Sequence, residues 1–130
     1  MKVGLGLLLT LLATSFGTQA DRLMVPSYLT CPRDFVTSWT GEVYDYKRQD
    51  ASIQFKIATD ADTTESLSLT MANLLQLENQ FFYQNRPFKP DLWPVLEEAP
   101  GKLAMPRKAT VWVCLKDDIK PVINWIAPPK

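Results

Sequence analysis

Few side chains in this chain are equipped for chemistry. There is no histidine in the 130 residues, which removes Ser-His-Asp and Cys-His nucleophiles and His-ligated zinc together. The two cysteines, Cys31 and Cys114, lack the Cys-x-x-Cys spacing of a redox pair and read as one structural disulfide. Carboxylate-pair catalysis needs two acids held across a cleft with their pKa values pushed apart. Glu97-Glu98 and Asp117-Asp118 are instead sequence neighbours in polar turns, the pattern of a solvated surface. Asp60-Ala-Asp62-Thr-Thr-Glu65 places oxygen ligands at alternate positions, as Ca²⁺ binding requires. It lacks the glycine and distal glutamate of an EF-type loop, and Asp and Thr are equally the residues of a hairpin turn. The reading is a non-enzyme with no catalytic residue, no metal and no cofactor.

Aromatic residues carry the better lead. Tyr44 and Tyr46 alternate with Val43 and Asp45, so a regular strand projects both from one face. In register they lie beside Gln54 and Lys56, with Ser66, Ser68 and Thr70 next. Tyr44, Tyr46 and Lys56 are therefore candidate ligand contacts, since tyrosine offers large area at low entropy cost. The competing expectation packs both tyrosines under a helix or loop. Phe81-Phe82-Tyr83, Phe88 and Trp93 form a second cluster beside a proline-rich loop. It reads as a satellite core, or else as an exposed anchor in which Trp93 is a fourth candidate contact. Trp112 and Trp125 are expected to meet in the core across a final hairpin.

The elements that must position these residues start with Trp39 to Met71. Three alternating runs are separated by short polar turns. Ile53, Phe55 and Ile57 share one face of the second run, and Leu67, Leu69 and Met71 one face of the third. That is the period of half-buried antiparallel strands. Gly41, early in the first strand, marks a bulge or a sharp bend. The period then changes. Leu74, Leu77 and Phe81 share one side of a helix over about 72–83, the alternative being a continued third strand. Pro87, Pro90 and Pro94 enforce an extended loop, with Asp91 capping one short turn through Val95 to Glu98. Thr110 to Leu115 is apolar on both faces, so it is a central strand covered on both sides. Val122 to Ile126 is its hairpin partner.

The expected fold is mainly β (β+α): a small five-stranded antiparallel barrel of order β-β-β-α-β-β, closed by one disulfide. At the level of element order it resembles an OB-type barrel, whose sheet face binds oligosaccharides or oligonucleotides. The resemblance rests on that order alone, so it transfers no residue. A small β-sandwich or an SH3-like barrel gives much the same string.

Residues 1–20 read as a signal peptide outside this fold. Lys2 is the only charge before Asp21, Val3 to Leu12 is a short apolar run, and Thr18-Gln19-Ala20 offers small residues at the two positions a signal peptidase reads. The run is too short to span a membrane of ~30 Å. Residues 21–130 then form one exported domain, secreted or periplasmic. Loss of Lys2 leaves a formal charge near −1, since 14 basic residues otherwise balance 14 acidic ones. Such a chain has no electrostatic footprint for nucleic acid. The function expected is an exported binding module that recognises a protein or glycan through the aromatic and polar sheet face. The alternative is an accessory or inhibitory protein acting on another exported protein through the proline-rich loop 86–94.

Overall fold

A computed structural model describes residues 24–116 and 118–128. The expected signal peptide and Asp117 lie outside the described residues. The fold is mainly β. After a 3-10 turn at Arg33–Phe35 come β1 (Val36–Gln49), β2 (Ser52–Thr59) and β3 (Thr64–Thr70). Helix α1 (Leu74–Glu78) follows, then the small hairpin of β4 (Phe81–Tyr83) and β5 (Arg86–Pro87). A 3-10 turn at Pro90–Leu92 runs into α2 (Trp93–Leu96). Strands β6 (Glu97–Ala99), β7 (Lys102–Leu103), β8 (Arg107–Cys114) and β9 (Val122–Ile126) complete the chain.

Seven strands form one sheet in the order β3-β2-β1-β8-β9-β4-β5, and β6-β7 is a separate ribbon. This corrects the five-stranded antiparallel barrel. The sheet is open, with β3 and β5 at its edges, and it is mixed, because β4 runs parallel to β9. Both departures come from 81–87. Three consecutive aromatic residues favour a pleated surface over a helix, so the expected helix over 72–83 stops at Glu78. Asn73 caps its start, with its side chain accepting from the Gln76 N–H at 2.9 Å while Gln76 Oε1 accepts from the Ala72 N–H at 3.2 Å. Phe81 to Tyr83 then extend the sheet beyond β9 instead of letting β9 return to β3.

The three-strand meander forms as expected. Val43, Ile53, Phe55, Ile57, Leu67 and Leu69 are buried on one face. Ala109, Val111, Ile123, Trp125 and Phe81 continue that face across β8, β9 and β4, under a lid of Leu77, Phe88 and Leu96. Phe81, Phe88 and Trp93 join this main core rather than a satellite one, with ring centroids 5.0–5.7 Å apart. Strand β8 is central as expected, between β1 and β9. Trp112 and Trp125 do not meet. Trp112 pairs with Val122 and Trp125 with Ala109, so an odd step between them sends the rings to opposite faces.

Gly41 is a point of close approach. A Cβ there would lie 2.0 Å from the Ala58 carbonyl oxygen. The bulge falls four residues later. Tyr44 pairs with Lys56 but Lys47 pairs with Gln54, so Asp45 and Tyr46 together oppose Phe55, and Asp45 takes a φ of 52°. The extra residue reverses the alternation. Tyr44 stays outward, whereas Tyr46 turns inward toward Phe55 and Trp125, with centroids at 6.4 and 6.1 Å.

Cys31 and Cys114 are bonded, with Cα atoms 5.8 Å apart and a sequence separation of 83. Closing such a loop removes unfolded-state entropy, on the order of 4 kcal/mol in the chain-entropy model. Replacing both cysteines by serine is expected to lower the unfolding free energy by about 2–4 kcal/mol. Chemical denaturation of the oxidised protein, the reduced protein and the double variant checks this. The last two should share one lowered midpoint.

Candidate functional site

The outer face of the sheet, opposite the core, carries two distinct halves. Over β1–β3 two cross-strand rows stand open. Tyr44, Lys56 and Ser66 form one, and Lys47, Gln54 and Ser68 the next. Tyr44 is 39% exposed. Where the bulge parts the strands, Asp45, Lys47, Gln54, Lys56, Ser66 and Ser68 line a groove of about 410 Å³. Lys56 Nζ lies 3.7 Å from Asp45 Oδ2, an exposed pair that contributes little and leaves both ends free for a ligand. The expected rows therefore exist, with Lys47 where Tyr46 was expected.

The other half lies over β8, β9 and β4. Phe82 and Asn124 are neighbours across β4 and β9. The segment ahead of Cys31 crosses them, with Tyr28 stacked on Phe82 at 3.8 Å and its hydroxyl donating to Asn85 Oδ1 at 3.4 Å. Asn124 is buried beneath, accepting from the Asn85 N–H at 2.9 Å and donating to Asn85 Oδ1 at 3.0 Å. Between this strap and the sheet lies a cleft of about 380 Å³ walled by Tyr28, Phe82, Trp112, Val36 and Val122. Sequence reasoning missed it, although a signal was present. Trp112 and Cys114 are two apart on one strand and so share a face, and the disulfide must draw Tyr28 to Cys31 over that face.

Tyr46 and Trp93, two of the four expected contacts, work inside the molecule. Glu97 was expected on a solvated turn, yet it is 6% exposed. Arg48 grips it with both prongs, Nε to Oε2 at 2.7 Å and Nη2 to Oε1 at 2.8 Å. The Tyr46 hydroxyl donates to Oε2, and the Gly101 N–H to Oε1 at 2.9 Å. Burial would raise the Glu97 pKa, but the hydrogen bonds from Arg48, Tyr46 and Gly101 outweigh it and hold the carboxyl below its ordinary value. The bond to Glu97 raises Arg48, and burial followed by that same carboxylate raises the Tyr46 phenol. The Arg48 guanidinium also lies 4.4 Å over the Trp93 ring, whose Nε1 donates to Glu78 Oε2 at 2.6 Å. Every polar end here is spoken for, so the cluster fastens the β6-β7 ribbon beneath the sheet.

Arg107 is also buried. It donates to the Val95 carbonyl at 2.8 Å and the Tyr83 hydroxyl at 3.3 Å, and among the described residues it makes no ion pair. Asp60 and Asp62 sit in the β2–β3 turn. Asp62 has a φ of 64°, and Asp60 Oδ1 is 3.5 Å from Lys108 Nζ. No helix among the described residues is long and apolar enough to cross a membrane. No protein-family model matches the chain, and neither curated proteins nor solved structures give a significant match.

Glu97→Ala strands a buried guanidinium, so a loss of about 3–5 kcal/mol is expected. A carboxyl held low in the fold stabilises it above the unfolded pKa, near 4.5, and that contribution fades as pH falls through the lower folded value. Unfolding free energy should therefore drop between about pH 5 and pH 2 in the native protein, and drop less in Glu97→Gln. Denaturation series at both ends of that window test the pair; identical pH slopes would remove Glu97 from the account. Tyr46→Ala should also destabilise strongly, whereas Tyr44→Ala should leave the melting temperature almost unchanged.

Proposed function

We propose that this chain is an exported, non-enzymatic binding module that captures a hydroxyl-rich ligand, an oligosaccharide, on the open half of its outer sheet face. The observation that supports the reading is the groove at the bulge beside Tyr44. Its lining joins the apolar Phe55 and Leu67 to donors on Lys47 and Lys56, an acceptor on Asp45 and two-way groups on Gln54, Ser66 and Ser68. Sugar hydroxyls need such mixed partners, and an exposed tyrosine offers a ring for the apolar face of a sugar. The mixed signs give no preference for a polyanion. The disulfide is compatible with an oxidising compartment.

The alternative, an accessory or inhibitory protein using loop 86–94, has less behind it. Phe88 is buried and Trp93 is committed to Glu78, so the aromatic residues that would anchor a protein partner are spent on the core. Arg86, Lys89 and Asp91 remain exposed on that loop.

A glycan array followed by titration calorimetry on the best binder tests the proposal. Tyr44→Ala and Lys56→Ala should each weaken binding about tenfold, or ~1.4 kcal/mol, without altering the melting temperature. Retention of no glycan together with a stoichiometric protein from an extracellular or periplasmic extract would support the alternative instead. Binding that is indifferent to both substitutions would move the site elsewhere.

A further inference from the structure

Arg107 carries a charge that the fold does not answer. It is 3% exposed, and a guanidinium stays protonated at any ordinary pH. Buried arginines normally face a carboxylate, as Arg48 faces Glu97 with both prongs. Arg107 instead meets two neutral acceptors, the Val95 carbonyl and the Tyr83 hydroxyl, and its Nε has no partner among the described residues. A charge left unpaired in a low-dielectric interior is weakly screened, so it acts beyond its immediate neighbours. One of those neighbours, Tyr83, is half-buried and lines a surface cleft of about 560 Å³.

That cleft is positive in its own right. It follows the β4-β5 hairpin and the turn after it, with Arg86, Lys89 and Asp91 exposed in its lining. Arg86 and Lys89 make no ion pair among the described residues, although Asp91 shares the cleft with them. With Arg107 behind, three cations stand against one carboxylate. Uncharged donors are in place as well. The Gln84 side-chain carbonyl accepts from the Ala127 N–H at 3.1 Å, which leaves its amide N–H groups to donate. The Tyr83 hydroxyl accepts from Arg107 Nη1 at 3.3 Å, so its own proton is turned away from the guanidinium. Arg86 stands opposite Tyr83 across the hairpin. Two consecutive left-handed residues, Gln84 (φ 53°) and Asn85 (φ 66°), fix the turn between them.

We propose that this cleft binds the dianionic phosphate group of a small phosphomonoester, apart from the glycan groove. Arg86 and Lys89 contact the phosphate, Gln84 and Tyr83 donate to it, and Arg107 adds its charge from behind Tyr83. An excess of two positive charges suits a phosphate monoester, close to −2 at neutral pH, better than a monoanionic carboxylate. The arginine fork also matches phosphate oxygens in pairs. The cleft is larger than a bare ion fills and has the size of a small-molecule site.

The probes are glycerol 3-phosphate, inorganic phosphate and acetate, each titrated at constant ionic strength into ¹⁵N-labelled, oxidised protein. Glycerol 3-phosphate should move the amide resonances of Gln84, Arg86 and Lys89 in a saturable way. It should bind about tenfold tighter than acetate, a factor equal to ~1.4 kcal/mol. Arg86→Ala, a change at an exposed side chain, should weaken it about tenfold without lowering the melting temperature. Tyr83→Phe removes the hydroxyl that couples Arg107 to the cleft and should weaken it about threefold. Lys56→Ala, in the glycan groove, should bind it undiminished. The absence of a saturable shift at the three residues overturns the site, and so does binding that Arg86→Ala leaves unchanged. Equal affinity for acetate overturns the choice of phosphate, and binding of inorganic phosphate without the ester overturns the monoester. Undiminished binding by Tyr83→Phe overturns the part given to Arg107. The Arg86→Ala comparison holds even if Tyr83→Phe fails to fold.

Discussion

The extra residue in β1 is the constraint on which the rest of the structure turns. Val43-Tyr-Asp-Tyr-Lys-Arg48 read as plain alternation would send Asp45 and Lys47 into the core with Val43. Burying two charges without partners is prohibitive. A two-for-one step at Asp45 and Tyr46, made possible by the left-handed turn at Asp45 (φ 52°), resets the parity. Aspartate is one of the few residues that tolerates that conformation. Val43, Tyr46 and Arg48 then point inward, and Tyr44 and Lys47 outward. The step that saves the core also opens the groove at the surface, so packing and the proposed ligand face have one origin.

Sending Arg48 inward creates a demand that the second half of the chain must meet. A guanidinium in the interior needs a carboxylate and further hydrogen bonds. Glu97 supplies the first, and the Tyr46 hydroxyl and the Gly101 N–H complete its shell. Gly101 fits because its φ of 83° and its approach to the Arg48 carbonyl oxygen, 2.6 Å from an added Cβ, exclude a side chain. The β6-β7 ribbon is thus fastened to β1 by charge, while Leu96 and Phe88 seal it to the core by apolar contact. On the opposite face the disulfide does the same for the segment before Cys31. Neither loop could be held by regular secondary structure, and each is held by a different long-range bond.

The sequence was informative wherever the period of side chains sufficed. Strands β2 and β9 appear over the residues expected, β3 and β8 within a few, and Cys31 and Cys114 pair as their number and setting implied. Tyr44 and Lys56 fall side by side as foreseen. What periodicity cannot carry is parity across a bulge, and there Tyr46 leaves the face that plain alternation would share with Tyr44. It also cannot see that Phe81-Phe82-Tyr83 complete a sheet against a strand some 40 residues later. Pairing at that distance depends on which edge is vacant, a property of the whole fold. Glu97 looked like surface because its partner, Arg48, lies 49 residues away. Trp93 looked like a possible anchor because the same guanidinium and Glu78 are invisible from its neighbours in sequence.

An open sheet leaves a problem that a barrel would have solved. Among the described residues no strand pairs with the outer edge of β3, and such an edge is a template for adding another chain. Glu65 lies on the same side of β3 as Leu67 and Leu69, as their spacing of two requires, and it is only half-buried. A strand from another molecule docking there would have to cover that carboxylate. Inward-pointing charge on an edge strand is a recognised deterrent to such pairing. The outward side chains of β3, Ser66, Ser68 and Thr70, are small, polar and exposed, so they add no apolar surface that would recruit neighbours. On β3, then, the inward Glu65 guards the edge while the outward Ser66, Ser68 and Thr70 keep its outer side polar. The open edge and the polar face are two aspects of one design.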